Sequence, residues 1–202
     1  MNSNKMPGLT ISIDIETTGL NPDKHKILQF SAIIYDFNKD HNVKSPLDLP
    51  HYSVFIDNGP SIYGQVYALN MNSWILDILS KPEENADRIV KANVLASNFQ
   101  NFLLTNGFEL NEYGKIKFVI AGKNVAGFDL PFLNKLPDWN RMFTIPQRVL
   151  DPAILYYNPT IDEIPPSLDD CLERASLEGE ITHDALYDAW DVIRVLRKKL
   201  IN

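Results

Sequence analysis

A single cysteine, Cys171, in 202 residues excludes an internal disulfide framework and fits a reducing compartment. In SLDDCLERASL it shares helical spacing with Leu168, Leu172 and Ala175, the pattern of a core residue rather than a catalytic thiol. No apolar run approaches the roughly 20 residues that a bilayer span requires. The first residues, MNSNKMPG, lack the basic-then-apolar order of a signal segment. The expectation is a soluble, cytoplasmic protein with no membrane partner. Basic residues are also scarce: 19 Lys and Arg face 26 Asp and Glu, a net charge of −7. That balance argues against coating long nucleic acid, which needs clustered cations to neutralise phosphates. His25, His41 and His51 show neither paired-histidine nor cysteine spacing, so a zinc site is not indicated. Gly122-Lys123 is followed by Asn rather than Ser or Thr and lacks the glycine spacing of a phosphate-binding loop.

What is present suits one α/β domain over residues 1–202, with a mixed sheet flanked by helices. ISIDIETTGL at 11–20 places Ile11, Ile13 and Ile15 on one face of a strand and Ser12, Asp14 and Glu16 on the other. ILQFSAIIYDF at 27–37 and HYSVFI at 51–56 read as the next strands of an antiparallel meander. Helices are expected over 65–80 and 85–106, the second with Ile89, Val90, Val94, Leu95, Phe99, Phe102 and Leu103 as its apolar stripe. KIKFVIAG at 115–122 reads as a strand buried on both faces, and GFDLPFLNKL as the start of a short helix. Four prolines between 151 and 166 predict a loop, and Ser167 caps a helix over 167–175. A final helix runs from about Asp184 to Leu200, with Leu186, Ala189, Trp190, Ile193 and Leu196 facing the core.

Three stretches carry chemistry. Asp14 and Glu16 end the first strand, and open α/β sheets place ligands at the carboxyl ends of strands. The bland alternative is a solvated strand face. In AGKNVAGFDLPFL, 121–133, a second strand ends and a polar loop brings Asn124 and Asp129 toward the same edge; Asp129 alone would also suit a helix start. In THDALYDAWD, 182–191, His183 precedes a helix that carries Asp184, Asp188 and Asp191 at steps of four and three. Spacing does not choose among the three acids.

DIETTGL, GKNVAGFDLPFL and HDALYDA, in this order and separation, resemble the three motifs of the DEDDh family of 3′-to-5′ exonucleases, which includes proofreading exonucleases and oligoribonucleases. The likeness extends over residues 10 to about 197. It implies a ribonuclease-H-like fold and makes Asp14, Glu16, Asp129 and Asp188 the four metal-binding acids and His183 the family's histidine. It places Thr17, Thr18 and Leu20 against the terminal nucleotides, Leu20 as a wedge between bases, and Asn124 and Phe128 near the substrate. Lys123 stands where many members have histidine, which leaves substrate preference undecided.

Hard oxygen donors without sulfur suit Mg²⁺ or Mn²⁺, and two such ions roughly 3.5–4 Å apart stabilise the attacking and leaving oxygens of an in-line phosphoryl displacement. The expected arrangement has Asp14 bridging both ions, Glu16 and Asp188 completing one site, Asp129 holding the second partly through water, and His183 as general base. The expected partner is a DNA or RNA 3′ end, shortened to nucleoside 5′-monophosphates. The sequence decides neither a homodimer nor a polymerase partner. Two rival readings are a non-catalytic nucleic-acid-binding protein on the same fold, and a metal-dependent phosphohydrolase of small phosphate esters.

Overall fold

The computed structural model describes residues 8–178 and 182–201. Its first strands follow the alternation in the sequence: β1 (Leu9–Thr17), β2 (Ile27–Asp36) and β3 (His51–Asp57) form an antiparallel meander. Next come α1 (Val66–Met71), α2 (Ser73–Ser80), β4 (Ile89–Lys91) and α3 (Ala92–Thr105). The second half contains β5 (Ile116–Lys117), β6 (Val119–Ala121), α4 (Asp129–Leu133), α5 (Trp139–Met142), β7 (Phe143–Thr144), α6 (Pro152–Tyr156), α7 (Leu168–Arg174) and α8 (Ala185–Leu200). The main sheet has the order β4-β3-β2-β1-β6, with β4 parallel to β3 and β6 parallel to β1; β5 and β7 pair separately. This is the mixed sheet that the sequence implies.

Both faces of the sheet are covered, which explains why β2 is buried almost from end to end. On one face Ile11, Ile13, Ile15, Phe30, Ala32 and Ile34 meet Leu95, Phe99 and Leu103 of α3. Phe99 stacks on Trp139 at 5.9 Å between centroids and meets Phe30 edge-on at 5.0 Å. On the other face Ile33 and Tyr35 pack beneath Leu186, Ala189, Trp190 and Ile193 of α8, while Leu28 and Phe55 meet Ile75 of α2. Ser12 Oγ donates to the Ala189 carbonyl at 2.8 Å, so two small residues let α8 lie close over β1. Cys171 is buried among Leu168, Leu172 and Val195, as its spacing predicts. Among the described residues, no helix is long and apolar enough to cross a membrane.

Four boundaries differ from the sequence expectations. The helix expected over 85–106 begins only at Ala92: Ile89 and Val90 extend the sheet, pairing in parallel with Phe55 and Ile56. Their β-branched side chains suit that pleated edge better than a first helical turn. The 65–80 helix is broken at Asn72, which ends α1 and begins α2. The strand expected over 115–122 divides into β5 and β6, which belong to different sheets. In the proline-rich stretch, Asp151 caps α6 by accepting from Ala153 N at 2.9 Å, and Pro152 occupies the first turn, where no N–H is needed. Beyond α6 the loop is tied to α7 by a bidentate Arg174–Asp162 pair, both contacts 2.6 Å. The cap at Ser167 is a capping box with Asp170.

Candidate active site

Because β1 and β6 are parallel neighbours, their carboxyl ends reach the same edge of the sheet. β1 brings Asp14 and Glu16 there on the face that α8 covers. The chain leaving β6 turns tightly over β1: a Cβ on Gly122 would lie 2.9 Å from the Ile13 carbonyl, which only glycine tolerates. The turn continues through Asn124, in the left-handed region at φ 53°, whose carbonyl accepts from Gly127 N and Phe128 N at 3.0 and 2.9 Å. α4 then starts at Asp129, which is buried. Asn124 itself is exposed, its N–H held by Asp151 Oδ2 at 2.9 Å, while half-buried Phe128 packs on Phe132 at 5.3 Å.

α8 supplies the third component, and the structure distinguishes its acids. Asp184 caps the helix by accepting from Leu186 N at 3.0 Å. Asp191 is paired with Arg194 at 2.6 Å. Asp188 is buried and points toward Glu16, with its Oδ1 lacking a hydrogen-bond partner. One ligand atom from each of Glu16, Asp188 and His183 lies within 4.8 Å of the other two. His183, half-buried, sits at φ 51° with its carbonyl accepting from Trp74 Nε1 at 3.2 Å.

The electrostatics show how costly this arrangement is without a cation. Burial first, then the charges of Asp129, Asp188 and Glu16, hold the Asp14 carboxyl well above its ordinary value. Glu16 is pushed up to about 7, mainly by burial, against a hydrogen bond from Asn72 that lowers it. Burial also pushes Asp129 and Asp188 up to about 8 each. Asp129 Oδ1 shares the condition of Asp188 Oδ1: buried, without a hydrogen-bond partner. Buried carboxylate oxygens left unpaired beside other acids are poor structural elements and good ligands for hard divalent cations. The donor set therefore fits Mg²⁺ or Mn²⁺.

The remaining residues singled out by sequence lie around this edge. Thr17 and Thr18 are buried, and their hydroxyls are engaged by the turn: Thr17 Oγ1 donates to the Gly19 carbonyl at 2.9 Å, and Thr18 Oγ1 accepts from Lys26 N at 3.0 Å. Leu20 is 71% exposed. Sequence reading did not single out Gln29, Asn72 and Trp74. Gln29 pairs with Glu16 in the β1–β2 register and bonds to the start of α8. Asn72 is fully buried and donates to the Thr17 carbonyl at 3.2 Å. The one signal for Gln29 is a polar amide within an otherwise apolar strand run; Asn72 and Trp74 carry none, because their partners are far away in sequence.

No protein-family model and no curated protein matches the sequence. Solved structures do match in fold. Exonuclease I of E. coli, solved with a 5cy-dT13 oligonucleotide, aligns at a TM-score of 0.60 and 16% identity over 94% of this chain and 40% of that one. Cell-death related nuclease 4 aligns at 0.62 and 15% over 95% of this chain and 63% of that one. Exonuclease I from Methylocaldum szegediense aligns at 0.60 and 17% over 94% of this chain and 40% of that one. The chain thus spans less than two thirds of the length of each of these neighbours. It shares with them the ribonuclease-H-like arrangement of mixed sheet and flanking helices.

Proposed function

We propose that this chain is a single 3′-to-5′ exonuclease domain of the DEDDh type, which hydrolyses phosphodiester bonds at the 3′ end of single-stranded DNA or RNA and releases nucleoside 5′-monophosphates. The observation that carries the reading is the convergence of Glu16, Asp188 and His183 within 4.8 Å, beside Asp14 and Asp129, with unpartnered oxygens on Asp129 and Asp188. The fold likeness to nucleases supports it. Asp14, Glu16, Asp129 and Asp188 would hold two Mg²⁺ or Mn²⁺ ions. Bound there, the ions would supply positive charge to both the attacking and leaving oxygens.

The side chains do the rest. His183 accepts a proton from the attacking water at a ring nitrogen, and its carbonyl bond to Trp74 fixes where the ring starts from. Gln29 bonds to Asp184 and to Ala185 N, which holds the α8 start between His183 and Asp188. Leu20, Phe128 and Asn124 would receive the terminal nucleotides, and Thr17 and Thr18, whose hydroxyls are engaged in the turn after β1, would shape their seat. The test is incubation of the chain and Mg²⁺ with 5′-labelled oligonucleotides and, separately, with a small phosphate ester. Stepwise shortening from the 3′ end is expected. Release of phosphate from the ester alone, with strands intact, would overturn the reading.

A further inference from the structure

In a protein of net charge −7, the stretch from Asn58 to Leu76 contains no Asp, Glu, Lys, Arg or His. Within it Tyr63, Val66 and Tyr67 are 80%, 85% and 77% exposed. Neighbouring Ile62 packs on the cluster of Leu28, Phe55 and Ile75, and Ala68 is buried, so the exposed side chains stand on an anchored segment. Rings this exposed forgo the stabilisation that burial brings, and a patch of them marks a place where something binds.

This segment is fastened to the edge of the candidate active site. Gln65 N donates to the Thr18 carbonyl at 2.8 Å, and Gln65 Oε1 accepts from Leu20 N at 3.3 Å. Gly64 approaches so closely that a Cβ there would fall 2.2 Å from the Thr18 oxygen, so no larger residue fits. Tyr63 and Tyr67 are thereby carried on the same support as Leu20, just past the strand end that holds Asp14 and Glu16. We infer that Tyr63 and Tyr67 form a stacking platform for the bases that precede the last phosphodiester of a single strand.

The chemistry favours a nucleic-acid strand as the occupant. A polyanion entering an acidic site needs a route free of carboxylates, and this uncharged strip provides one. The uncharged faces of its bases stack on aromatic rings irrespective of sequence. The platform rests on the exonuclease reading above and deepens it. It selects unpaired strands of several nucleotides over mononucleotides, with little base preference.

The test compares the full chain with Tyr63→Ala/Tyr67→Ala and with Tyr63→Phe/Tyr67→Phe, using an oligonucleotide with 2-aminopurine near its 3′ end and Ca²⁺ in place of Mg²⁺. The alanine variant should bind roughly fivefold to a hundredfold more weakly and lose the quenching of 2-aminopurine, while the phenylalanine variant keeps both. With Mg²⁺, KM should rise in the alanine variant far more than kcat falls. Single Tyr67→Ala serves if the double variant unfolds. Unchanged binding and quenching in the alanine variant would overturn the platform. So would light scattering that shows a wild-type dimer dissociating in that variant while strand binding is intact, because the patch would then join copies of the chain. A wild type that binds and quenches, with loss in the alanine variant, but never shortens a strand would overturn the exonuclease reading and leave the platform standing.

Discussion

Gln29 and Asp184 are joined across 155 positions of sequence: Gln29 Nε2 donates to Asp184 Oδ1 at 3.0 Å, while Gln29 Oε1 accepts from the next amide, Ala185 N, at 3.1 Å. A strand residue paired with Glu16 thus fixes the start of the helix that carries Asp188. Gln29→Ala leaves a buried N–H unsatisfied and should destabilise the chain by about 1–3 kcal/mol. It should also slow Mg²⁺-dependent strand shortening by roughly tenfold, about 1.4 kcal/mol of lost alignment. Ser53→Ala removes a 3.4 Å contact to Gln29 and a 2.9 Å hydrogen bond to Ser31 but leaves the bonds of Gln29 to the α8 start; it should cost about 1 kcal/mol of stability and leave turnover unchanged. Melting curves and turnover of the two variants provide the check.

The acidic cluster sets an unusual pH dependence. Unfolded, Glu16, Asp129 and Asp188 lose their protons near their ordinary values of 4.5, 3.8 and 3.8; folded and without cation, they lose them at about 7, 8 and 8. Across that window the folded chain binds more protons than the unfolded chain, so stability falls as pH rises from about 4 to about 8. In EDTA, Tm should therefore be lower at about pH 8 than at about pH 5.5. Mg²⁺ should restore it at the higher pH and matter little at the lower, since protonated acids bind no cation. A Tm in EDTA that stays flat or climbs over this range would contradict the assignment.

The three acids of α8 test which one serves the site. Asp188→Asn removes a buried carboxylate whose Oδ1 has no hydrogen-bond partner, so strand cleavage should fall by about three orders of magnitude while Tm in EDTA near pH 8 rises. Asp184→Ala loses a helix cap worth about 1 kcal/mol together with its bond to Gln29 and should slow cleavage by no more than about the tenfold expected for Gln29→Ala, while Asp191→Ala loses its bond to Arg194 and should retain most of the activity. Equal loss in all three would remove the distinction drawn between them.

That distinction shows how far the sequence could be read. Ile11, Ile13 and Ile15 announced β1 by alternation, and the same pattern put Asp14 and Glu16 together on the other face. Asp184, Asp188 and Asp191 looked alike until their surroundings were visible: Gln29 and the Leu186 amide bond to Asp184, the buried Oδ1 of Asp188 has no hydrogen-bond partner, and Arg194 pairs with Asp191. Ile89 and Val90 read as helix because helical spacing continued into α3; only the open edge of β3 makes them strand. The four prolines between 151 and 166 read as loop, although Asp151 caps a short helix, α6, whose first turn begins with Pro152. Asn72, Trp74 and Gln29 were out of reach, since each acts on a residue 55 to 156 positions away.

Leu20 separates stability from function. Because Leu20 is 71% exposed, Leu20→Ala should change stability by no more than about 0.5 kcal/mol. A residue that meets the end of a strand should nonetheless slow shortening, most of all where the terminal base is paired and must be separated. Calorimetry together with cleavage of single-stranded and blunt-ended substrates distinguishes the two effects. Unchanged cleavage of every end would make Leu20 an ordinary surface residue.

His183 and Trp74 should act in sequence, one on the proton and one on the position of the other. His183→Ala removes the proposed base and should slow cleavage by about 10²–10⁴ while leaving the four acids to bind cation. Trp74→Phe keeps a ring against Phe55, now 5.7 Å from Trp74, but deletes the N–H that holds the His183 carbonyl. Its loss should be smaller and should vanish in the His183→Ala background, because a positioning bond has no effect once the positioned group is gone. Additive losses in the double variant would mean that Trp74 acts elsewhere. Cation affinity measured by calorimetry should be little altered in either single variant. A collapse of that affinity in His183→Ala would instead make the imidazole, which lies within 4.8 Å of Glu16 and Asp188, a ligand rather than a base.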